Sequence, residues 1–163
     1  MRGLLALAGA LALTFVTATS ASAHYVYAAD EVWSNTDSSK CLYTRSEVSH
    51  GANGGGYVQS RGLASDDYGI PTTCIWSWNR LPGNLATKWS YYKKTSSGWS
   101  LCRSIGWKYN TSTTNVLRAS KTYPIYPPCG GGYYATKAWS KVYYSGSWHG
   151  AYSIWSGSHY IEP

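Results

Sequence analysis

The chain has one phenylalanine and one methionine in 163 residues, and both, Phe15 and Met1, fall within its first sixteen positions. Acids are scarce as well, seven Asp and Glu against fourteen Lys and Arg. No segment beyond Val16 approaches the ~18 uninterrupted apolar residues of a membrane-spanning helix. His24, His50, His149 and His159 form no His-x-x-x-His pair, and no serine sits in a Gly-x-Ser-x-Gly elbow, so the usual zinc-hydrolase and serine-hydrolase signatures are missing. No Cys-x-x-Cys pair offers a zinc or redox site. Helical periodicity is also lacking, which argues against helical folds.

What is present begins with a leader. Met1-Arg2-Gly3 is a positive start, Leu4 to Val16 an apolar run broken by Gly9 and Thr14, and Ala21-Ser22-Ala23 a small-x-small cleavage site. Residues 1–23 are therefore expected to be a secretory signal peptide, with the mature protein starting at His24 and acting extracellularly. A cut after Ala29 would put Tyr27 where a small side chain is required. The remaining 140 residues suit one domain, read as an arm or first strand over residues 24–40 and a compact β domain over 41–163. All four cysteines, Cys41, Cys74, Cys102 and Cys129, lie in this part, and an even count in an exported chain predicts two disulfides. Three connectivities are open; pairing 41 with 74 and 102 with 129 closes two loops of roughly thirty residues without threading.

With Phe and Met gone, the bulk comes from 9 Trp and 16 Tyr. Each buries a large ring but needs a partner for its polar tip, which suits a thin two-layer fold with rings in the core and tips at the rim. The Tyr-Tyr pairs at 91/92, 133/134 and 143/144 would point one ring to each face of a strand, so some rings must reach the surface.

Short runs rich in Thr, Val, Tyr and Trp alternate with Gly, Ser, Asn and Pro, predicting an all-β, disulfide-stapled antiparallel sandwich or barrel. Two hairpins stand out: "KWSYYKK" turning at Thr95 to Gly98 into "WSLCRS", and "KVYY" turning at Ser145-Gly146 into "SWHGAYSIW". Thr44-x-x-Glu47 has the form of a helix capping box, but the glycine-rich stretch from Gly51 to Gly56 ends it, so a loop is expected. In "CIWSWN" Cys74, Trp76 and Trp78 share one face, as for a disulfide packed on Trp. Echoes such as Ser97-Gly98-Trp99 against Ser147-Trp148 are too short to define a repeat.

Set aside Arg2, and 13 basic residues face 7 acidic ones, about +6, with the cations spread along the chain. No stripe for nucleic acid or lipid is visible, and an anionic partner surface is the better use of this mild field; neither nucleic acid nor membrane is expected as a partner. Glycoside hydrolysis needs two facing carboxyls. Asp66 and Asp67 read as turn residues, or at most calcium ligands, and Glu47 near His50 is the other acid beside a base. No catalytic residue, metal site or cofactor is therefore expected, and the chain reads as a non-enzyme.

Two binding roles remain. The seventeen residues before Cys41 open with Tyr25, Val26 and Tyr27, strong β-formers that could add as a strand to another protein, or form the first strand of the chain's own sheet. Alternatively, some of Trp76, Trp78, Trp99, Trp107, Trp139, Trp148 and Trp155 could form a stacking platform for a carbohydrate or cell-wall glycan. A row of exposed Trp favours sugar, and buried Trp with a free arm favours an adaptor. A small muralytic enzyme comes third and needs Glu47, Asp66 or Asp67 in a cleft.

Through its leading arm, four cysteines, export and the C-terminal "SGSWHGAYSIWSGSHY", the chain resembles the small secreted Trp/Tyr-rich proteins of streptomycetes, in particular the adaptor subunits of umbrella toxin particles. The resemblance implies a non-catalytic β protein joining a lectin-like subunit to a toxin stalk. It makes Tyr25 to Trp33, with Tyr25, Val26, Tyr27, Val32 and Trp33, the docking strand, and it makes the turn at Gly51 to Gly56, with Asn53 and Gly54, a second contact.

Overall fold

The computed structural model describes residues 24–33, 40–50, 54–65, 74–123 and 126–163, which form two five-stranded antiparallel sheets packed as a sandwich. The first sheet contains β1 (His24–Trp33), β2 (Lys40–His50), β3 (Gly55–Ser65), β4 (Cys74–Ser77) and β7 (Val116–Thr122). The second contains β5 (Leu85–Thr95), β6 (Gly98–Tyr109), β8 (Gly132–Tyr144), β9 (Ser147–Trp155) and β10 (His159–Ile161). Two strands share one flank in each sheet. The first runs β1-β2-β3 and is completed by β4 at one end of β3 and β7 along the rest. The second runs β6-β5-β8 and is completed by β9 and β10 along β8.

Period-two burial makes these strands. Leu42, Thr44, Ser46 and Val48 of β2 are all within 1% of full burial, while the residues between them are half-exposed. That alternation overrides the capping-box signature at Thr44 and Glu47, so this stretch is a strand and not a loop. Trp89 and Tyr91 of β5 and Tyr134, Thr136, Ala138, Ser140 and Val142 of β8 complete the facing layer. Much of it is small and polar. Ser46 Oγ donates to the Thr136 carbonyl at 2.7 Å, tying one sheet to the other.

Between the layers Tyr134 stacks on Tyr91 at 4.7 Å, Tyr123 follows at 6.1 Å, and Trp89 stands edge-on to Tyr91. Val48, Ile161, Ala138 and Cys102 close this cluster, and Leu42, Leu85 and Val142 form a second beside Trp78. Glycines 54 to 56 lie where β3 crosses these rings. A Cβ on Gly56 would stand 3.2 Å from Trp89, and one on Gly54 would stand 2.5 Å from Ile161. The turn expected to offer Gly54 to a partner is therefore buried at that residue, because Ile161 and the Tyr91 hydroxyl pack against it. Asn53 lies outside the described residues.

Cys102 is bonded to Cys129, and Cys41 is also disulfide-bonded. The Cys74 and Trp76 side chains, the leader 1–23, and Asp66 and Asp67 lie outside the described set. Both expected hairpins are present as β5–β6 and β8–β9. Asn110 pins the sandwich end: its Oδ1 accepts from Leu85 N at 2.8 Å and its Nδ2 donates to the carbonyls of Arg80, Leu81 and Ser112.

Residues 24–33 form a strand paired with β2 along their full length, from His24 with His50 to Trp33 with Cys41. The segment is thus the first strand of the chain's own sheet. Val26 packs toward the core and Tyr27 is exposed under the Arg45 guanidinium, 4.1 Å from its ring centroid. The side chains of Tyr25, Val32 and Trp33 are not among those described.

Candidate functional site: a ladder of tryptophan and lysine

The outer face of the second sheet carries the largest gathering of rings. Outward positions follow from strand register: Ala86, Lys88, Ser90, Tyr92 and Lys94 on β5 stand opposite Lys141, Trp139, Lys137 and Ala135 of β8 on one side and Tyr109, Ser104, Leu101 and Trp99 of β6 on the other. β9 adds Trp148 opposite Tyr143 and Trp155 opposite Lys137. The sequence "KAWSKVYY" holds the key fragment, Lys137-Trp139-Lys141, three alternate residues that a strand must place on one face.

Each lysine of this face lies against a ring. Lys137 Nζ is 5.1 Å from the Trp155 centroid and 5.3 Å from Trp139; Lys88 is 4.9 Å from both Trp139 and Trp107; Lys141 is 4.5 Å from Trp107 and 4.3 Å from Trp148. The result is an unbroken alternation, Trp155, Lys137, Trp139, Lys88, Trp107, Lys141, Trp148. At one end Trp155 meets Trp99 at 6.1 Å and Tyr92 at 4.8 Å, with Lys94 over Trp99. At the other, Trp148 meets Tyr109 and Tyr143 at 5.9 and 5.5 Å.

These contacts span the sheet. β6 and β9 lie three strand spacings apart, roughly 14 Å, yet Trp99 touches Trp155 and Tyr109 touches Trp148, so the rings must lie down over the two middle strands. Small residues make room beneath them: outward-facing Ala86 and Ala135 are 0% and 2% exposed although no strand among the described residues forms a second layer on this side. The rings thus form a thin outer packing layer. Its terminal members stay open, with Trp99, Trp148 and Trp155 at 37 to 39% exposure and Tyr109 at 44%. Tyr133 and Tyr160 form a further exposed edge-to-face pair.

Electrostatically the face has one sign. Residues 68–161 hold ten Lys and Arg and no Asp or Glu, a segregation that the whole-chain charge conceals. Four of these cations, Lys88, Lys94, Lys137 and Lys141, which look dispersed along the chain, come together on this face once the strands pair. Among the described residues Lys88, Lys94, Lys137 and Lys141 have no carboxylate partner and no hydrogen-bond acceptor, whereas Lys93 Nζ donates to the Cys129 carbonyl at 2.7 Å. Arg80 shows the purely structural version of the same contact: its guanidinium lies 4.1 Å from Trp78 and donates to the Tyr143 carbonyl. Trp78 is accordingly packed at the sandwich end and outside the ladder.

Of the residues weighed for catalysis, the described ones lie apart from this face, and Asp66, Asp67 and the His50 side chain are outside the described set. Glu47 is ion-paired to Arg45 at 2.7 Å on the first sheet, and His149 is tied by its ring nitrogen to Ser147 Oγ and the Tyr144 carbonyl in the β8–β9 turn. Among the described residues no group of three His, Cys, Asp or Glu side chains could hold a metal. Sequence reasoning named five of the ring positions, Trp99, Trp107, Trp139, Trp148 and Trp155, and saw lysine interleaved with aromatics in "YYKK" and "KAWSKVYY" as a pattern that superficially suits single-stranded nucleic acid; what it missed is Lys88, which joins them from β5. Compared with protein-family models, curated proteins and solved structures, the chain matches none.

Proposed function

We propose that this chain is a secreted, non-enzymatic binding protein whose outer second-sheet face takes an extended glycan. The observation that carries the reading is the row of Trp rings joining two open aromatic ends on one sheet face. Sugar rings present apolar faces and hydroxylated rims, and exposed Trp and Tyr with nearby Ser are suited to both. Trp148 and Trp155 stand at opposite ends of β9, opposite Tyr143 and Lys137 of β8, roughly 20 Å apart at ~3.3 Å per residue, so a polymer can engage both and a single sugar cannot. The disulfide is consistent with an oxidising, extracellular setting, as is the leader expected over residues 1–23.

The test is retention on insoluble polysaccharides. Trp148→Ala and Trp155→Ala should each weaken retention roughly two- to tenfold, the worth of one lost ring contact. Absence of retention on every polysaccharide, or unchanged retention in both variants, counts against the reading.

An adaptor role in a secreted assembly has separate support: β1 is the outermost strand of the first sheet, and its second edge is unpaired among the described residues. An added strand from a lectin-like or toxin-stalk subunit would use that edge. Capture of secreted proteins by a variant lacking both Trp148 and Trp155 rings would favour this docking mode.

A further inference from the structure

The alternation of cations with rings says more than that sugars can stack. We infer that the ladder selects an anionic polysaccharide, one whose repeating sugar rings carry carboxylates, with the lysines meeting the charges and the terminal tryptophans meeting the sugar faces. The inference rests on the glycan reading above and deepens it.

The division of labour comes from the distances. Trp139 and Trp107 each have two ammonium groups within 5.3 Å, so their faces are largely occupied, and both rings are half-buried. Trp148, Trp155 and Trp99 each have one ammonium neighbour, at 4.3, 5.1 and 5.5 Å, and are the exposed tryptophans of the face. Ring surface is thus most open at the two ends and cations are concentrated in the middle.

The cations are held and yet unspent. A ring beneath an ammonium fixes its position through the ring's electrostatic field. It satisfies none of the three N–H donors, and no described acceptor does so for Lys88, Lys137 or Lys141. Among the described residues no carboxylate pairs with these lysines, and Glu162, next to β10, is the one acid beyond residue 67, so an incoming anion meets no ion pair that it must break. A neutral glycan would offer the three ammonium groups hydroxyl acceptors but no counter-charge, and the weaker pairing disfavours it against a carboxylate-bearing one.

The spacing of ring faces separates this ligand from other polyanions. A phosphate chain without sugar rings offers nothing to Trp148 and Trp155. Single-stranded nucleic acid needs successive open ring faces for its bases, and the inner rings here are covered by lysine. Anionic sugar rings use both parts of the ladder.

The experiment uses the whole protein with three immobilised probes: polygalacturonate, its fully methyl-esterified form, and oligo(dT). Polygalacturonate should be retained, with retention falling steeply toward ~0.5 M salt as charges are screened, and the methyl ester, which keeps the backbone and loses the charge, should be held at least about tenfold less. The triple variant Lys88→Gln/Lys137→Gln/Lys141→Gln should lose at least about tenfold toward polygalacturonate, as expected for lost charge-assisted hydrogen bonds. The corresponding Lys→Arg triple variant should retain it, with near-ultraviolet circular dichroism checking the fold of each. Equal retention of polygalacturonate and its ester overturns the inference and leaves the glycan reading standing. Loss of binding to all polysaccharides, neutral ones included, defeats both. Preference for oligo(dT) overturns the choice of ligand.

Discussion

Tyr91 and Tyr134 stack ring on ring in the core, but their hydroxyls are treated differently. Tyr134 Oη donates to the Gly130 carbonyl at 2.6 Å and accepts from the Cys129 N–H at 3.2 Å, so its tip reaches the rim as a two-layer fold of tyrosines requires. Tyr91 Oη is buried with no partner among the described residues. Tyr91→Phe should therefore be neutral or stabilising by up to about 1 kcal/mol, whereas Tyr134→Phe should cost about 1–3 kcal/mol by stranding two backbone groups. Urea denaturation of the pair measures the contrast. Burial pushes both phenols, and that of Tyr123, above the ordinary value of 10.0; for Tyr91 the neighbouring Tyr134 and Tyr123 add to the effect. A raised folded-state value means the unfolded chain ionises first. Stability is then level below about pH 10 and falls above it, as the unfolded state alone loses protons. Phenolate absorbance should show these three tyrosines titrating above pH 10, with unfolding setting in over the same range; a Tyr91→Phe protein that unfolds at the same alkaline pH as the parent would contradict the assignment.

At the scale of strands and turns, the β8–β9 hairpin uses a two-residue loop with Ser145 at φ 48° and Gly146 at φ 81°, both in the left-handed region that matches strand twist. Gly146→Ala should cost about 1–2 kcal/mol because an L side chain is strained there. Gly106 on β6 has an ordinary φ and nothing within 4 Å of an added Cβ, so Gly106→Ala should stabilise by about 0.4–1 kcal/mol through the unfolded chain. Thermal unfolding should move in opposite directions for the two. This hairpin was legible in the sequence because its turn residues and flanking rings are adjacent, and so was the β5–β6 hairpin. The glycine run at 54–56 serves more than the turn that the sequence suggests: Gly54 has the left-handed φ of 61° expected there, but a Cβ on it would meet Ile161 and Tyr91, one on Gly55 the Lys121 carbonyl, and one on Gly56 Trp89. The ladder was legible by fragments. Lys137, Trp139 and Lys141 show their common face through a spacing of two, while Lys88 and Trp107 come from other strands and join them only through the β5–β6 and β5–β8 registers, which one sequence does not encode locally.

Across the whole molecule, the two faces of β6 do separate jobs. Cys102 turns inward, packs with Val48, Tyr91 and Ile161, and is bonded to Cys129, 27 residues away in the segment that leads into β8. Trp99 and Trp107 turn outward into the ladder. The bridge acts chiefly by restricting the unfolded chain, so its loss weakens the fold without touching the outer rings. Cys102→Ala/Cys129→Ala should cost about 2–4 kcal/mol and lower Tm by roughly 10 °C. Well below its own Tm, the same variant should bind polysaccharide as the parent does, because the register of β5, β6, β8 and β9, which sets the ladder, is held by backbone pairing along those strands. Retention that collapses while circular dichroism still reports a folded sandwich would mean that the bridge positions the rings, and that core and ladder are coupled through β6 and not merely joined by it.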